Sequence, residues 1–468
     1  MTRHVLRHQV FLSAGAQAPA VPVVADSRRL EPGSIFVATG ARRAAHSADA
    51  RARGAAVVIS DDAPTPLGSN WRSPSARYTA ARVSAVTHGI DQQCPPLLGV
   101  TGTDGKTTSA WYAWCCLGQA AARVGTLGLH DGTSERVGAH TTPPAEQLHG
   151  FLADLPTECP GVAVEVSSHA IDQHRLAGLR FAAMAFTGIG SDHLDYHRHH
   201  AAYVATKLRA ARLLMPKGLA VINADDPRSG AIAHAVRAAG GRVLSLGFGA
   251  GAARLQPAPD GWRLCLDGDE LALPVRQPGA FNAWNAAAGA LLASAVGGDL
   301  AACCARLATA PAVPGRMELV LERPLAYVDY AHTPGAVAAA VAALREAHPR
   351  RRLVCVAGCG GDRDTGKRAP MGRAAVAADR AVLTSDNPRS EDPAAIVTAM
   401  CQDLGPAELE RVDQVLDRGA ALQLAYDLAG PTGVVLVCGK GHETVQVIGA
   451  ERRPWDDRAA LRAIGGVA

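Results

Sequence analysis

Lysine is missing from the first 96 residues, where eleven arginines stand against six acids. A basic excess of that kind marks either a solvated surface or a site for a phosphorylated ligand. Over all 468 residues the net charge is only +4, too weak to argue for a nucleic-acid partner. Also missing is any apolar run of about 18 residues, so no membrane insertion is expected. The N-terminus lacks a basic-then-apolar signal, and the eleven cysteines contain no C-x-x-C pair. An odd number of scattered cysteines speaks against a disulfide framework and for reduced thiols, hence for a cytoplasmic protein. No short-period repeat occurs.

What is present is length and alternation. A chain of 468 residues is too long for one hydrophobic core. Residues 1–95 hold the strand candidates "SIFVATG" and "GAAVVIS" with a short helix between them, and close near a Pro-Pro pair. In residues 96–311 the strands "LLGVTG", "GVAVEVSS", "FAAMAFTGI" and "LAVINADD" alternate with helical stretches, the pattern of a mainly parallel sheet. Residues 312–468 begin a second alternation with "LAYVDYAHT", "RLVCVAGCGG", "RAVLTSDNPR" and "GVVLVCGKGHE". Three α/β domains are expected, with ligands gathered at the carboxyl ends of the strands.

The stretch "LLGVTGTDGKTT" joins an apolar strand to a helix through a glycine-rich turn. In Gly102-Thr103-Asp104-Gly105 the glycines allow backbone N–H groups to converge on phosphate oxygens. Lys106 can neutralise phosphate charge, Thr107 or Thr108 can ligate Mg²⁺, and the helix start adds its positive end. Val100 stands where the ordinary phosphate loop has its first glycine, so two readings stay open: a nucleotide site, or a turn. Glu165 falls at the end of one strand and His193 after the next, a carboxylate and an imidazole suited to a second Mg²⁺. Asp195, His197, His199 and His200 read as a solvated polar turn, and their spacing matches no zinc motif.

Eleven motifs in order, among them "DSRRLEPGSIFVA", "GVTGTDGKTT", "EVSSHAIDQHR", "DHLDYH", "GAFNAWN", "VDYAHTP", "SDNPR" and "GKGHE", resemble the Mur ligase family over almost the whole chain. The resemblance implies a small N-terminal domain, a central P-loop-like ATPase domain and a C-terminal Rossmann-like domain. It implies an ATP-dependent amide ligase working through an acyl phosphate, with Lys106, Glu165, His193 and Lys207 as its catalytic residues. Gly102 to Thr108, Asn282, Asn285, Arg316, Asp329 and His332 would bind ATP. Thr107, Glu165 and His193 would hold Mg²⁺, and Lys207 would carry a CO₂-derived carbamate. Asp26, Ser27, Arg28, Thr141, Thr142, Ser167, Gln173 and Arg175 would hold a nucleotide-linked muramoyl peptide.

Within that family, Arg363, Asp386, Asn387, Arg389, Gly439 and Glu443 match the form that adds meso-diaminopimelate rather than lysine. The physical reason is that an arginine can bind the far carboxylate bidentately while acids bind the far ammonium. Three departures stand out. Asp104 replaces an asparagine in the phosphate loop, Gly188, Gly190 and Ser191 replace larger polar residues, and "ARRAAHSAD" lacks an acid-glycine pair. The last leaves open a paralogue that joins an amino acid to a different carboxylic acid. A monomer with small-molecule partners is expected.

Overall fold

Short apolar runs that end in polar loops become the strands of this chain, and in the computed structural model they assemble into three main sheets. The structure describes residues 23–24, 28, 30–38, 43–60, 70–72, 75–90 and 92–466. Among the described residues no helix is long and apolar enough to cross a membrane.

The first sheet is parallel throughout, in the order β1 (Val23–Val24), β2 (Ile35–Ala38), β3 (Val57–Ser60), β4 (Asn70–Arg72). Helix α1 (Arg43–Ala52) connects β2 to β3. Helix α2 (Ala76–Thr87) starts where the Ser75 hydroxyl accepts a hydrogen bond from the Tyr78 N–H. Ala76 and Ala80 of α2 pack under this sheet, whereas Ala85 belongs to the core of the next domain.

The central sheet has eleven strands. Its middle is parallel: β5 (Leu97–Thr101), β6 (Ala122–Gly125), β9 (Val162–Glu165), β10 (Phe181–Phe186), β11 (Leu214–Asn223), β12 (Arg242–Gly247) and β13 (Ala253–Ala258). Antiparallel additions extend both edges, β7 (Gly128–His130) with β8 (Glu135–Arg136), and β14 (Gly261–Leu266) with β15 (Asp269–Leu273). These edges were not expected from the apolar runs, because their strands are short or mostly half exposed. Leu97 faces one core and Leu98 and Val100 the other, as the two-residue period of a strand requires. On the second face α3 (Lys106–Leu117) lies against the alanine-rich helix α7 (Ala280–Ser294), so closely that a Cβ on Gly289 would fall 2.7 Å from the Ala113 nitrogen. The other face carries α4 (Ala145–Ala153), α5 (Ser168–Asp172) and α6 (His200–Leu208).

The third sheet has the order β16 (Glu318–Glu322), β17 (Leu325–Val328), β21 (Val434–Val437), β18 (Leu353–Ala357), β19 (Arg380–Leu383), β20 (Val412–Gln414), parallel except for β16. Helices α8 (Pro334–Ala347), α9 (Arg418–Ala429) and α10 (Asp457–Ile464) cover its two faces. The loops after β17, β18, β19 and β21 leave the carboxyl edge of this sheet toward the carboxyl edge of the central one, which is where the candidate site forms.

Candidate active site

Backbone shape comes first in the phosphate loop. Gly102 has φ +153 and Gly105 φ +80, and a Cβ on either would meet Thr187 Oγ1 at 1.8 Å or Asn285 Oδ1 at 2.6 Å. The loop is fastened to the strand-end segment beside it: the Thr103 N–H donates to Gly188 O (2.9 Å), and the Gly190 N–H donates to Thr103 Oγ1 (2.7 Å). Gly188 itself, at φ +143, leaves room for Asp226, whose Oδ2 would be 2.9 Å from a Cβ there. That departure from the usual family residue therefore has a steric reason. Asp104 is exposed at the loop tip and lines the cavity.

Two lysines converge on this loop. Lys106 Nζ donates to Gly102 O (3.1 Å) and Thr103 O (2.7 Å), folded over its own turn. Lys207 Nζ, fully buried on α6, donates to the same Gly102 carbonyl at 2.7 Å. Burial, and then the neighbouring charge of Lys106, hold the Lys207 amine well below the ordinary lysine pKa. Asn285 Oδ1 accepts from Ser109 Oγ (2.9 Å), while Asn282 donates to Pro278 O (2.8 Å) at the start of α7.

Glu165 ends β9 beside Val100 and is buried. Its Oε2 accepts from Thr107 Oγ1 (2.9 Å) and Thr126 Oγ1 (3.1 Å), and its Oε1 from the Thr126 N–H (2.8 Å). A hydroxyl and a carboxylate side by side form a hard-oxygen set that fits Mg²⁺, which takes one or two protein oxygens and completes its shell with water and phosphate. Among the described residues no group of three His, Cys, Asp or Glu forms a fuller metal cage. His193 sits in the left-handed region (φ 54) next to Asp192. Burial outweighs the Asp192 charge and draws the His193 pKa down to about 4, so the imidazole is neutral and able to act as a ligand. Burial opposes the charge on Asp192, yet His332, 3.9 Å away, and His193 hold it well below the carboxylate range.

Beyond Glu165 lies a polar ledge. Thr142 Oγ1 donates to Glu165 O (2.6 Å) and Ser167 caps α5. Thr141 accepts from Thr126 (3.1 Å), and Arg175 Nη1 donates to Thr142 O (2.7 Å) while Gln173 Oε1 holds its other edge. Across the space the third domain supplies Arg316, whose Nη2 donates to Thr107 Oγ1 (3.3 Å) and whose guanidinium lies 4.3 Å from the Tyr330 ring centre. Asp329 is half-buried, desolvation raises its pKa, and it accepts from the N–H groups of Met317 (2.6 Å) and Ala331 (2.7 Å). These groups line one cavity of about 750 Å³ together with His332, Arg363 and Asn282.

A second cavity, about 550 Å³, shares His169, Asp192, His193, Tyr330, His332 and Arg363 with the first. Its far wall carries Asp386, Asn387, Arg389, Gly439 and Glu443. Asn387 Nδ2 donates to Glu443 Oε2 (3.0 Å), and Lys440 Nζ donates to Glu443 Oε2 (2.9 Å) and Asn387 Oδ1 (3.2 Å). Arg389 is left-handed (φ 52) and places Nη1 on Gly361 O at 2.7 Å. Burial raises the Asp386 pKa, opposed by the charges of Arg418 and Lys440.

The structure thus brings most of the expected residues to two adjoining cavities. Lys207, Gly102, Gly105 and Gln173 stand behind the walls and position what lines them. Arg28 is exposed and lines neither cavity, while Asp26 and Ser27 lie outside the described residues. His197 corrects the reading of its segment as a solvated turn: it is buried among the rings of His169, Tyr196 and Tyr203. Thr126, His169, Asp192 and Tyr330 were not anticipated, although Asp192 and Tyr330 flank quoted site residues in "SDH" and "VDYAHT".

Comparison with known proteins agrees with this geometry. The Mur ligase middle domain matches residues 100–293, and the Mur ligase glutamate ligase domain matches residues 315–441. A UDP-N-acetylmuramoyl-L-alanyl-D-glutamate–2,6-diaminopimelate ligase of Alkalilimnicola ehrlichii is 41% identical, covering 99% of this chain and 98% of its own. One of the same name from Bradyrhizobium diazoefficiens is 38% identical over 94% of each. A solved structure of that name superposes with TM-score 0.68 at 30% identity, over 97% and 96% of the two chains. The folylpolyglutamate synthase of Mycobacterium tuberculosis shares the fold at 20% identity and TM-score 0.64, over 83% and 94%. The two matched domains and the relatives together cover nearly the whole molecule, and the chain belongs to the Mur ligase family.

Proposed function

We propose that the chain is an ATP-dependent, ADP-forming ligase joining meso-diaminopimelate to a carboxylate of UDP-N-acetylmuramoyl-L-alanyl-D-glutamate, in the cytoplasm. The observation that carries this reading is the wall of Asp192, His193, His332 and Arg363 common to both cavities. A phosphate loop stands on one side and a set of paired acids and arginine on the other. The relatives that carry the substrate name cover nearly the whole chain.

The chemistry is positioning and charge neutralisation. The acceptor carboxylate, held by Thr141, Thr142, Ser167, Gln173 and Arg175, attacks the γ-phosphorus of ATP; the bond to the β,γ-bridging oxygen breaks, giving acyl phosphate and ADP. The diaminopimelate amine then attacks the acyl carbon, phosphate leaves, and the amine proton is lost to solvent or phosphate. Lys106 neutralises the β- and γ-phosphates, and Arg316, Asp329 and His332 hold the nucleotide from the third domain. Asn282 and Asn285 stand at the adenine end. Thr107, Glu165 and His193 would hold Mg²⁺, which when bound offsets phosphate charge. Lys207, its amine drawn well below the ordinary lysine pKa by burial, is suited to accept CO₂, and a carbamate there keeps one N–H for the Gly102 carbonyl.

Arg389 and Arg363 suit the far carboxylate of diaminopimelate, and Asp386 and Glu443 its far ammonium. Domains 1–95, 96–311 and 312–468 would then hold the uridine nucleotide, with Asp26, Ser27 and Arg28 opening its site, the ATP, and the amino acid. The test is phosphate release from ATP with the muramoyl dipeptide and diaminopimelate, lysine or neither. Release that needs diaminopimelate, with a product of matching mass, is expected; folded, ATP-binding protein that turns over neither amino acid would sink the proposal.

A further inference from the structure

Behind the Asp386 and Gly439 wall of the second cavity, Arg418 is completely buried at the first turn of α9. Its Nε and Nη2 each lie 2.7 Å from a different oxygen of Asp457, also buried, at the start of α10. The remaining donors go elsewhere. Nη1 donates to Ser385 O (3.2 Å), and Nη2 also donates to Cys438 O (2.9 Å). Ser385 immediately precedes Asp386, and Cys438 immediately precedes Gly439. The two carbonyls end β19 and β21, which are not neighbours, since β18 runs between them. One planar guanidinium therefore spans three strands and sets the separation of the two loops.

That separation has little tolerance. Gly439 is left-handed (φ +108), and a Cβ on it would fall 2.3 Å from Asp386 Oδ2. On Gly358, at the end of β18, a Cβ would fall 2.5 Å from Thr384 O. Only a fork of fixed shape makes all four bonds together; a lysine ammonium offers a point charge and three rotatable donors.

We infer that Arg418, oriented by Asp457, is a positioning residue that holds the Asp386–Arg389 and Gly439–Glu443 loops at the spacing needed for the incoming amino acid. The inference rests on the assignment of that cavity to the amino acid. Arg418→Lys keeps the charge and loses the fork. Arg418→Met with Asp457→Leu removes both charges together, so that no lone buried ion prevents folding.

Two measurements on the full-length protein separate the questions. Amide hydrogen exchange is expected to speed at least tenfold in peptides covering 385–391 and 438–446 of both variants, and to stay unchanged over 100–110. In turnover, the KM for diaminopimelate rises at least tenfold while the KM for ATP stays within twofold. Loops as protected as in the parent protein overturn the inference whatever the substrate, and so does an equal rise in both KM values. Parent protein without diaminopimelate-dependent turnover overturns the assignment of the cavity instead, and the exchange data then decide the clamp by themselves.

Discussion

Five lysines stand against forty-two arginines in this chain, and four of the five, Lys106, Lys207, Lys367 and Lys440, lie at or behind the two cavities. Arginine stays charged at every accessible pH, whereas a buried lysine can lose its proton and become a nucleophile. Lys207 is the clearest case, its amine drawn well below the ordinary lysine pKa by burial. Replacing it with Ala is expected to lower kcat by about 10²–10³-fold, the usual scale for losing a charge-stabilising group. Circular dichroism should remain that of the parent. Lys207→Arg should be equally poor, because a guanidinium does not take up CO₂; near-normal turnover of either variant would remove its role. Arg389→Ala should raise the KM for diaminopimelate much more than that for ATP, and equal rises would refute the pocket assignment. At Gly439 even one added carbon matters: Gly439→Ala combines a left-handed φ with the Asp386 clash. Its strain is of order 1–2 kcal/mol, and weaker diaminopimelate binding by calorimetry should follow.

Among the elements, helix α2 is the one with two allegiances, since it packs under the first sheet and against α4 of the second domain. At that contact His149 is fully buried, with Nδ1 3.0 Å from Ser84 Oγ and, among the described residues, no hydrogen-bond partner on Nε2. Burial, aided by the charges of His88 and Arg82, draws its pKa down from 6.5 to about 4. The unfolded chain therefore binds a proton between those values that the folded chain refuses. The stability contributed is complete above pH 6.5 and is lost as pH falls toward 4. His149→Gln, neutral throughout, should narrow the gap between the thermal midpoints at pH 7.5 and pH 5; an unchanged gap would show that His149 is not the group responsible. Legibility differed by element in the same way. Parallel strands showed as apolar runs ending in Gly102, Glu165 or Asp386, since both faces are covered and polar loops follow at the carboxyl ends. The strands Ala253–Ala258 and Gly261–Leu266 lie toward one side of the central sheet; the first alternates buried and exposed residues and the second is mostly half-buried, so a search for apolar runs passes over both. Arg418 and Asp457 were invisible for another reason: 39 residues separate them and neither stands in a local pattern.

For the whole molecule, contacts between the central and third domains differ in worth. The Arg363–Asp195 pair (3.5 Å) is half exposed on both sides. Asp195→Ala should cost under about 1 kcal/mol in unfolding experiments, as exposed pairs do; a larger loss would mean that the pair locks the domains. Arg316, by contrast, reaches Thr107 beside the phosphate loop, and Arg316→Ala should raise the KM for ATP by at least tenfold, readable in the same phosphate-release assay. That reach has a further consequence for the chain as it is made. Arg316 and Thr107 are 209 residues apart, and Glu443 closes the second cavity later still. On the ribosome the phosphate loop emerges and folds long before anything that can complete it. A half-synthesised copy therefore carries the phosphate loop and Lys106 but neither Arg316 nor the far wall of the second cavity.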